Sequence, residues 1–228
     1  VYQPAIDTRT GAVQGFEALV RWNHPQRGPI SPTEFIPMAE DTGLVIPLDR
    51  WVLRQACERI AYWRDTYPEA NDITVSVNLS TRQFARKDLI DTIREVLVDT
   101  SVPPKSLVLE ITESALMTNL EQVSDNMKAL WELGVGLAID DFGTGYSSLS
   151  YLHRFPINTL KIDRSFVSNM ECDHDKATLV RTVIGMAESL NLRVVAEGVE
   201  TPEQMDSLRQ MNCSVVQGFH LSRPVDAD

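Results

Sequence analysis

Cysteine is scarce in this chain: three residues in 228, at Cys57, Cys172 and Cys213. They are far apart, odd in number and free of metal-type spacing. That excludes a disulfide framework or thiolate metal site and points to a reducing, cytoplasmic compartment. Cys57 is expected to pack within a helix. His24, His153, His174 and His220 lack the pair spacing of a metal site and are expected to be surface or structural residues. No apolar run approaches the ~20 residues of a membrane span, so any membrane tether belongs to a longer parent protein. Basic residues are outnumbered 21 to 32, giving a net charge of −11. This argues against a general DNA or RNA binder, which needs a basic face for phosphates. An anionic ligand must instead be met by a local cation: a metal, an arginine or a lysine. Repeats, low-complexity tracts and long linkers are also missing. The chain opens at Val1 inside a strand-like run, with no initiator Met or signal pattern. It is therefore expected to be a fragment of something longer.

What is present is an ordinary globular composition, 43% hydrophobic and 23% charged, at a length that suits one large domain over 1–228. Apolar runs keep ending in a carboxylate or amide. They are VQGFEALVRW, ITVSVNLS, LVLEIT, GVGLAIDDFG, NTLKID, RVVAEGVE and SVVQGF. Each reads as a buried strand with polar groups near its C-terminal end: Glu17, Asn78, Glu110, Asp140 with Asp141, Lys161, Glu197 and Gln217. A buried charge is costly unless paired or bound to a metal. Taken singly, Glu110 or Glu197 reads as a salt-bridged strand-end acid and Asn78 as a turn former. Their joint occurrence at strand ends points to one active site.

Helical periodicity covers 48–66, 83–99, 118–133, 145–153, 174–190 and 202–211. Thr201-Pro202-Glu203 reads as an N-cap with a first-turn proline, and Thr118 as a similar cap. Strands alternating with helices imply βαβ units and a parallel sheet. Counting YQPAI at 2–6 gives eight strands, the first two joined only by DTRTGA. Parallel neighbours need a crossover of about a dozen or more residues, so that link is a hairpin. The expected fold is α/β, a modified TIM (β/α)8 barrel with an antiparallel first strand. Its active-site face lies at the C-terminal strand ends. Period 2 then places Glu17, Leu19 and Arg21 on one face of the second strand, and Lys161 with Asp163 on one face of the sixth. Asp140 and Asp141 diverge on a regular strand, so the strand must break up there; Gly143 and Gly145 supply the break. Trp22, Trp51, Trp63 and Trp131 are expected to be packing residues. Gly143-Thr144-Gly145 fails as a dinucleotide loop, because Ser148 stands where G-x-G-x-x-G needs glycine.

GFEALVRWNHP, NLS, EITES, DDFGTGYSSLSYLHRFPINTLKIDRSFV, AEGVET and QGF resemble the signature blocks of EAL domains, the bacterial cyclic di-GMP phosphodiesterases. The similarity runs in register from Tyr2 to about Pro224. The family's helix before YQP, and the further helix that often follows SRP, have no counterpart here. The resemblance implies hydrolysis of cyclic di-GMP to linear pGpG in bacterial signalling, dependent on two Mg²⁺ or Mn²⁺ ions and inhibited by Ca²⁺. It makes Glu17, Asn78, Glu110 and Asp140 ligands of a first ion, with Asp140 bridging to a second held also by Asp141 and Glu197. Lys161 orients the attacking water or touches the scissile phosphate. Glu113 holds the mobile loop 141–148. Gln217, Arg21 and Gln3 line the substrate groove, with Gly198 and Glu200 nearby. A homodimer is implied, as is a longer parent carrying sensory or cyclase domains.

The chemistry suits these residues. Two divalent ions roughly 3.5–4 Å apart clamp the attacking and leaving oxygens of a phosphodiester. Oxygen-only ligation favours Mg²⁺ or Mn²⁺. Glu197 is either a general base or only a ligand. The alternative reading is a catalytically silent cyclic di-GMP receptor, which would usually lack a metal ligand or the loop glycines; here all are present.

Overall fold

The structure, a computed structural model, describes residues 1–117, 120–145, 152 and 155–227. Strands β1 (Tyr2–Asp7) and β2 (Val13–Ala18) form the expected hairpin, Gly11 turning it with φ 71°. An excursion follows: β3 (Trp22–His24), β4 (Gly28–Ile30) and helix α1 (Pro32–Thr42). Next come α2 (Val45–Thr66), β5 (Thr74–Asn78), α3 (Thr81–Phe84), α4 (Leu89–Thr100) and β6 (Leu107–Thr112). The chain continues through α5 (Leu120–Leu133), β7 (Gly136–Phe142), β8 (Thr159–Ile162), α6 (Arg164–Val167) and α7 (His174–Ser189). It ends with β9 (Arg193–Ala196), α8 (Pro202–Gln210) and β10 (Val215–Val216).

Eight strands close a barrel in the order β1-β10-β9-β8-β7-β6-β5-β2. β1 runs antiparallel to both neighbours, and the other pairs are parallel. This is the modified TIM barrel that the alternation and the short first link predict. Period-2 alternation sorts the strands. Val75, Val77, Leu107, Leu109, Leu137, Ile139, Leu160 and Ile162 are buried in the cluster that also holds Leu53, Ile60, Ile93, Met127, Leu130 and Val180 of the helices. The opposite face lines the bore, a narrow space of about 50 Å³. Its walls include the small residues Gly15, Ser76, Ala138 and Thr159, together with Glu17, Glu110, Lys161 and Gln217.

Several expected boundaries move. The 83–99 helix is two, because Ser80 N-caps α3 and the chain turns before α4. β2 stops at Ala18, so Leu19 and Arg21 do not share a strand face with Glu17; Trp22 already belongs to β3. β8 stops at Ile162, and Asp163 caps α6 by accepting from Ser165 N. The hairpin β3–β4 and α1 had no counterpart in the sequence reading, although Ser31-Pro32 is an N-cap with a first-turn proline and Gly43 ends the helix at φ 78°. The cap at Thr118 lies outside the described residues, as does most of the 145–153 helix. No helix among the described residues is long and apolar enough to cross a membrane. Cys57 is buried on α2 as expected, whereas Trp51 and Trp131 are exposed rather than packed, and Trp22, also exposed, meets Phe35 edge-on.

Gly218, next to Gln217, shows how tightly the β9 and β10 ends approach: a Cβ there would overlap the Val199 backbone. Backbone cannot yield as a flexible side chain does. Gly218→Ala is expected to destabilise the fold by at least the ~1–3 kcal/mol of ordinary overpacking, read as a lowered urea midpoint at unchanged slope.

Candidate active site

Each parallel strand of the barrel delivers a polar residue at, near or just beyond its C-terminal end to one rim. Glu17 comes from β2, Asn78 from β5, Glu110 from β6, Asp140 from β7 and Lys161 from β8; Glu197 follows β9 and Gln217 follows β10. Lys161 is the hub. Its Nζ lies 2.6 Å from Glu110 Oε2, 2.6 Å from Glu197 Oε1, 3.3 Å from Asp140 Oδ1 and 3.4 Å from Glu17 Oε2. Glu110 and Lys161 are each only 2% exposed. Asn78, exposed at the mouth, donates through Nδ2 to Glu17 Oε1 at 2.7 Å.

One ammonium cannot offset this many buried acids, and their proton affinities diverge accordingly. Burial and the charges of Glu17 and Asp140 push Glu110 well above the usual carboxylate range, against the pull of Lys161. Burial, with Asp140 and Glu17, pushes Glu197 up to about 8. Burial and Asp140 push Asp141 up to about 6. Glu17 goes the other way: burial opposes its charge, but Lys161 and hydrogen bonds from Gln217 and Asn78 hold it below its ordinary value. Burial would release the Lys161 proton, yet Glu110, Glu17, Glu197 and Asp140 hold it far more tightly than usual.

Asp140 and Asp141 both reach the site, but by a different device from the expected glycine break. Asp141 itself adopts φ 54°, and the β7–β8 register shifts between Ile139 and Phe142. This bulge turns two adjacent side chains to one side. Asp140, Asp141 and Glu197 each offer a carboxylate oxygen, all within 4.8 Å of one another. Asp141 N also donates to Asp140 Oδ1 at 3.0 Å. Glu113, buried just beyond β6, accepts from Gly143 N at 3.1 Å through Oε2 and so ties down the start of the following loop. The rest of that loop, from 146 to 148, lies outside the described residues. All described donors are oxygens, and the cluster already accommodates a cationic nitrogen, so the set fits hard divalent cations.

Other predicted residues have different settings. Gln217 Nε2 donates to Glu17 Oε2 at 2.7 Å and to Gln3 Oε1 at 3.2 Å, while Gln3 Nε2 donates to Ser222 O at 3.1 Å. Both amides are buried, so they orient Glu17 from beneath. Arg21 is exposed, donates to Val20 O at 2.9 Å and lines a cavity of about 320 Å³ beside Asp140 and Asp141. Gly198 (φ 70°) packs against Arg164, where a Cβ would overlap. Glu200 is exposed and enters the α8 cap, its N–H donating to Gln204 Oε1 at 2.8 Å. His24 is structural, its Nδ1 accepting from Gln26 N and Arg27 N, while His174 and His220 are exposed and His153 lies outside the described residues. No sequence pattern marked the cavity's far wall, made by Pro32, Ile36, Leu48 and Val52, or the buried acid Asp49 within it. The only signal for Asp49 was an acid inside the apolar stretch VIPLDRWVL.

A family model described as EAL domain matches residues 1–224. The chain is 44% identical over 227 residues to the bifunctional diguanylate cyclase/cyclic di-GMP phosphodiesterase MucR of Pseudomonas aeruginosa, covering 100% of this chain and 33% of that protein. It is 44% identical over 225 residues to the cyclic di-GMP phosphodiesterase NbdA of the same organism, covering 98% and 28%. A solved structure described as PaMucR phosphodiesterase in a c-di-GMP complex matches with a TM-score of 0.94 at 44% identity, over 99% of this chain and 91% of that one. The chain thus spans about a third or less of the length of these full relatives.

The raised carboxyls make cation binding compete with protons. Because Glu197 titrates near 8 and Asp141 near 6, lowering the pH through that window refills both with protons. Apparent Mn²⁺ affinity should then fall, by roughly tenfold or more between pH 8.5 and 6. Calorimetry in buffers of different ionisation enthalpy should show net proton release at pH 7. Affinity independent of pH would contradict these environments.

Proposed function

The chain belongs to the EAL domain family, and on that premise we propose that it is a phosphodiesterase hydrolysing cyclic di-GMP to linear pGpG with two Mg²⁺ or Mn²⁺ ions. The observation that carries this reading is the convergence of Glu17, Glu110, Asp140 and Glu197 on Lys161, with Asp141 completing a second carboxylate group. Glu17, Asn78, Glu110 and Asp140 would hold one ion; Asp140, Asp141 and Glu197 would hold the other. Bound there, the ions would clamp the attacking and leaving oxygens and offset charge on the phosphate.

The chain's own groups do the rest. Lys161 brings a fixed positive charge to the scissile phosphate from a position that water cannot freely reach. Glu197 serves the second ion as a ligand, and Lys161, 2.6 Å from it, steers the attacking water. Arg21, at the exposed mouth, meets the outer phosphate. The apolar walls of the 320 Å³ cavity, including Leu19, Ile36, Leu48 and Leu79, offer a dry slot for one base beside Asp140 and Asp141. The domain is part of a longer protein with sensory or cyclase segments and acts as a homodimer.

Hydrolysis is tested directly by incubating the protein with cyclic di-GMP and Mg²⁺ or Mn²⁺ and separating products by chromatography. pGpG should accumulate, stop in excess chelator and be blocked by Ca²⁺, whose longer bonds and higher coordination number spoil the geometry. Binding without product would instead mark a receptor. Glu17→Ala and Asp140→Ala should abolish turnover, whereas Lys161→Ala should lose turnover yet still bind Mn²⁺.

Glu113→Ala should lower the rate by up to ~10²-fold, the scale of a small misplacement of catalytic groups. Its Mg²⁺ requirement should shift upward, since Gly143 is two residues from Asp141. A wild-type Mg²⁺ response at reduced rate would place the role of Glu113 elsewhere.

A further inference from the structure

Asp49 is a buried acid with an unusual set of partners. It lies in the N-terminal part of α2 and is 8% exposed. No ion pair among the described residues includes it. Desolvating a carboxylate without a cation is costly. Here the compensation comes from one residue: Ser80 donates through Oγ at 2.5 Å and through its backbone N at 3.1 Å, both to Asp49 Oδ2.

Ser80 stands two residues beyond Asn78, at the start of α3. Its Oγ also accepts from Gln83 N at 3.2 Å, so one hydroxyl links α2, the strand end and α3. Leu79 between them is pinned by its N–H to Glu110 O at 3.0 Å. Asn78 is the one candidate ligand of the first ion whose side chain is exposed. Glu17, Glu110 and Asp140 are packed into the rim, whereas Asn78 ends the β5 ladder opposite Glu110, and the turn that follows it is tied to α2 through Ser80.

From these contacts we infer that Asp49 is a positioning residue for the first metal site, holding the Asn78 turn from α2 through Ser80. This rests on the metal-site reading above and assigns a task to a residue that is no ligand. Outer partners of metal ligands commonly contribute about 10–100-fold in metal affinity. Asp49 also borders the cavity beside Asp140 and Asp141, so contact with the substrate is the competing explanation, and the two differ in what they perturb.

The test is a Mn²⁺ titration by calorimetry on the chelator-treated full chain, with KM for cyclic di-GMP measured separately at saturating metal. Asp49→Ala is expected to weaken Mn²⁺ binding by ~10–100-fold while leaving KM within about threefold of wild type. Asp49→Asn keeps an acceptor oxygen for Ser80 and should restore most of the affinity. Ser80→Ala should weaken binding in the same direction. Combined with Asp49→Ala it should add little, as expected for two residues acting through one contact. Unchanged Mn²⁺ affinity with a raised KM in Asp49→Ala would overturn the inference and give Asp49 to the substrate. Additive losses in the double variant would overturn it too. A wild-type chain that binds no Mn²⁺ would remove the metal-site reading itself, a failure distinct from the first two.

Discussion

A lysine enclosed by carboxylates at the barrel mouth is the interaction on which the rest of the site depends. Charges this buried repel one another strongly in a medium of low effective dielectric, and Lys161 answers four acids at once. Its position is set by the β8 register against β7 and β9, where Lys161 pairs with Val195 and Leu160 with Ile139. A one-residue slip in β8 would send Lys161 into the helix layer and an apolar side chain into the bore. The register is secured by Leu160 and Ile162, both fully buried on the opposite face. Apolar packing outside the barrel therefore determines where the charge sits inside it.

The antiparallel first strand serves the same end. β1 lies between β2 and β10, so Gln3, paired with Glu17 in register, also meets Gln217 across the closure of the barrel. Two neutral amides thereby support the one acid of the cluster held below its ordinary proton affinity. Amides suit this place because they donate without adding charge to a site already crowded with it. Gly198 and Gly218 permit the close approach of the neighbouring turns, and Val199 N donates to Gln217 O at 3.1 Å between them.

Much of this was legible in the sequence, and for a physical reason. A parallel strand is buried on both faces, so it reads as an apolar run, and a charge at its end stands out. Glu17, Asn78, Glu110, Asp140, Lys161, Glu197 and Gln217 were all marked in this way, and the structure gathers them at one rim. The short link before Val13 gave away the antiparallel strand. What stayed hidden has no such periodic signature. The β3–β4 hairpin and α1 are an insertion whose caps are plain but whose strands are three residues each. The tie between Asp49 and Ser80 joins residues 31 positions apart, a separation that no local pattern reveals. Gln3 and Gln217 were visible as site residues, but their hydrogen bonds to one another and to Glu17 emerge only on closure of the barrel.

The β7 bulge shows the limit most clearly. Strand alternation sends Asp140 and Asp141 to opposite faces, and the glycines after them were the obvious place for the chain to break. The left-handed turn falls on Asp141 itself, a conformation that costs about 1–3 kcal/mol for a residue with a side chain and persists only where its surroundings hold it. Two contacts hold it: Asp141 N donates to Asp140 Oδ1, and Gly143 N, two residues later, donates to Glu113 Oε2. Strain at a carboxylate that completes a three-acid group makes that group sensitive to its supports. Displacing Gly143 relative to Glu113 reaches Asp141 through a single intervening residue, Phe142, whose own ring is buried and cannot absorb the motion. The loop beginning at Gly143 is thus coupled mechanically to one half of the acidic site, while Glu17, Asn78 and Glu110 on β2, β5 and β6 are anchored independently of it.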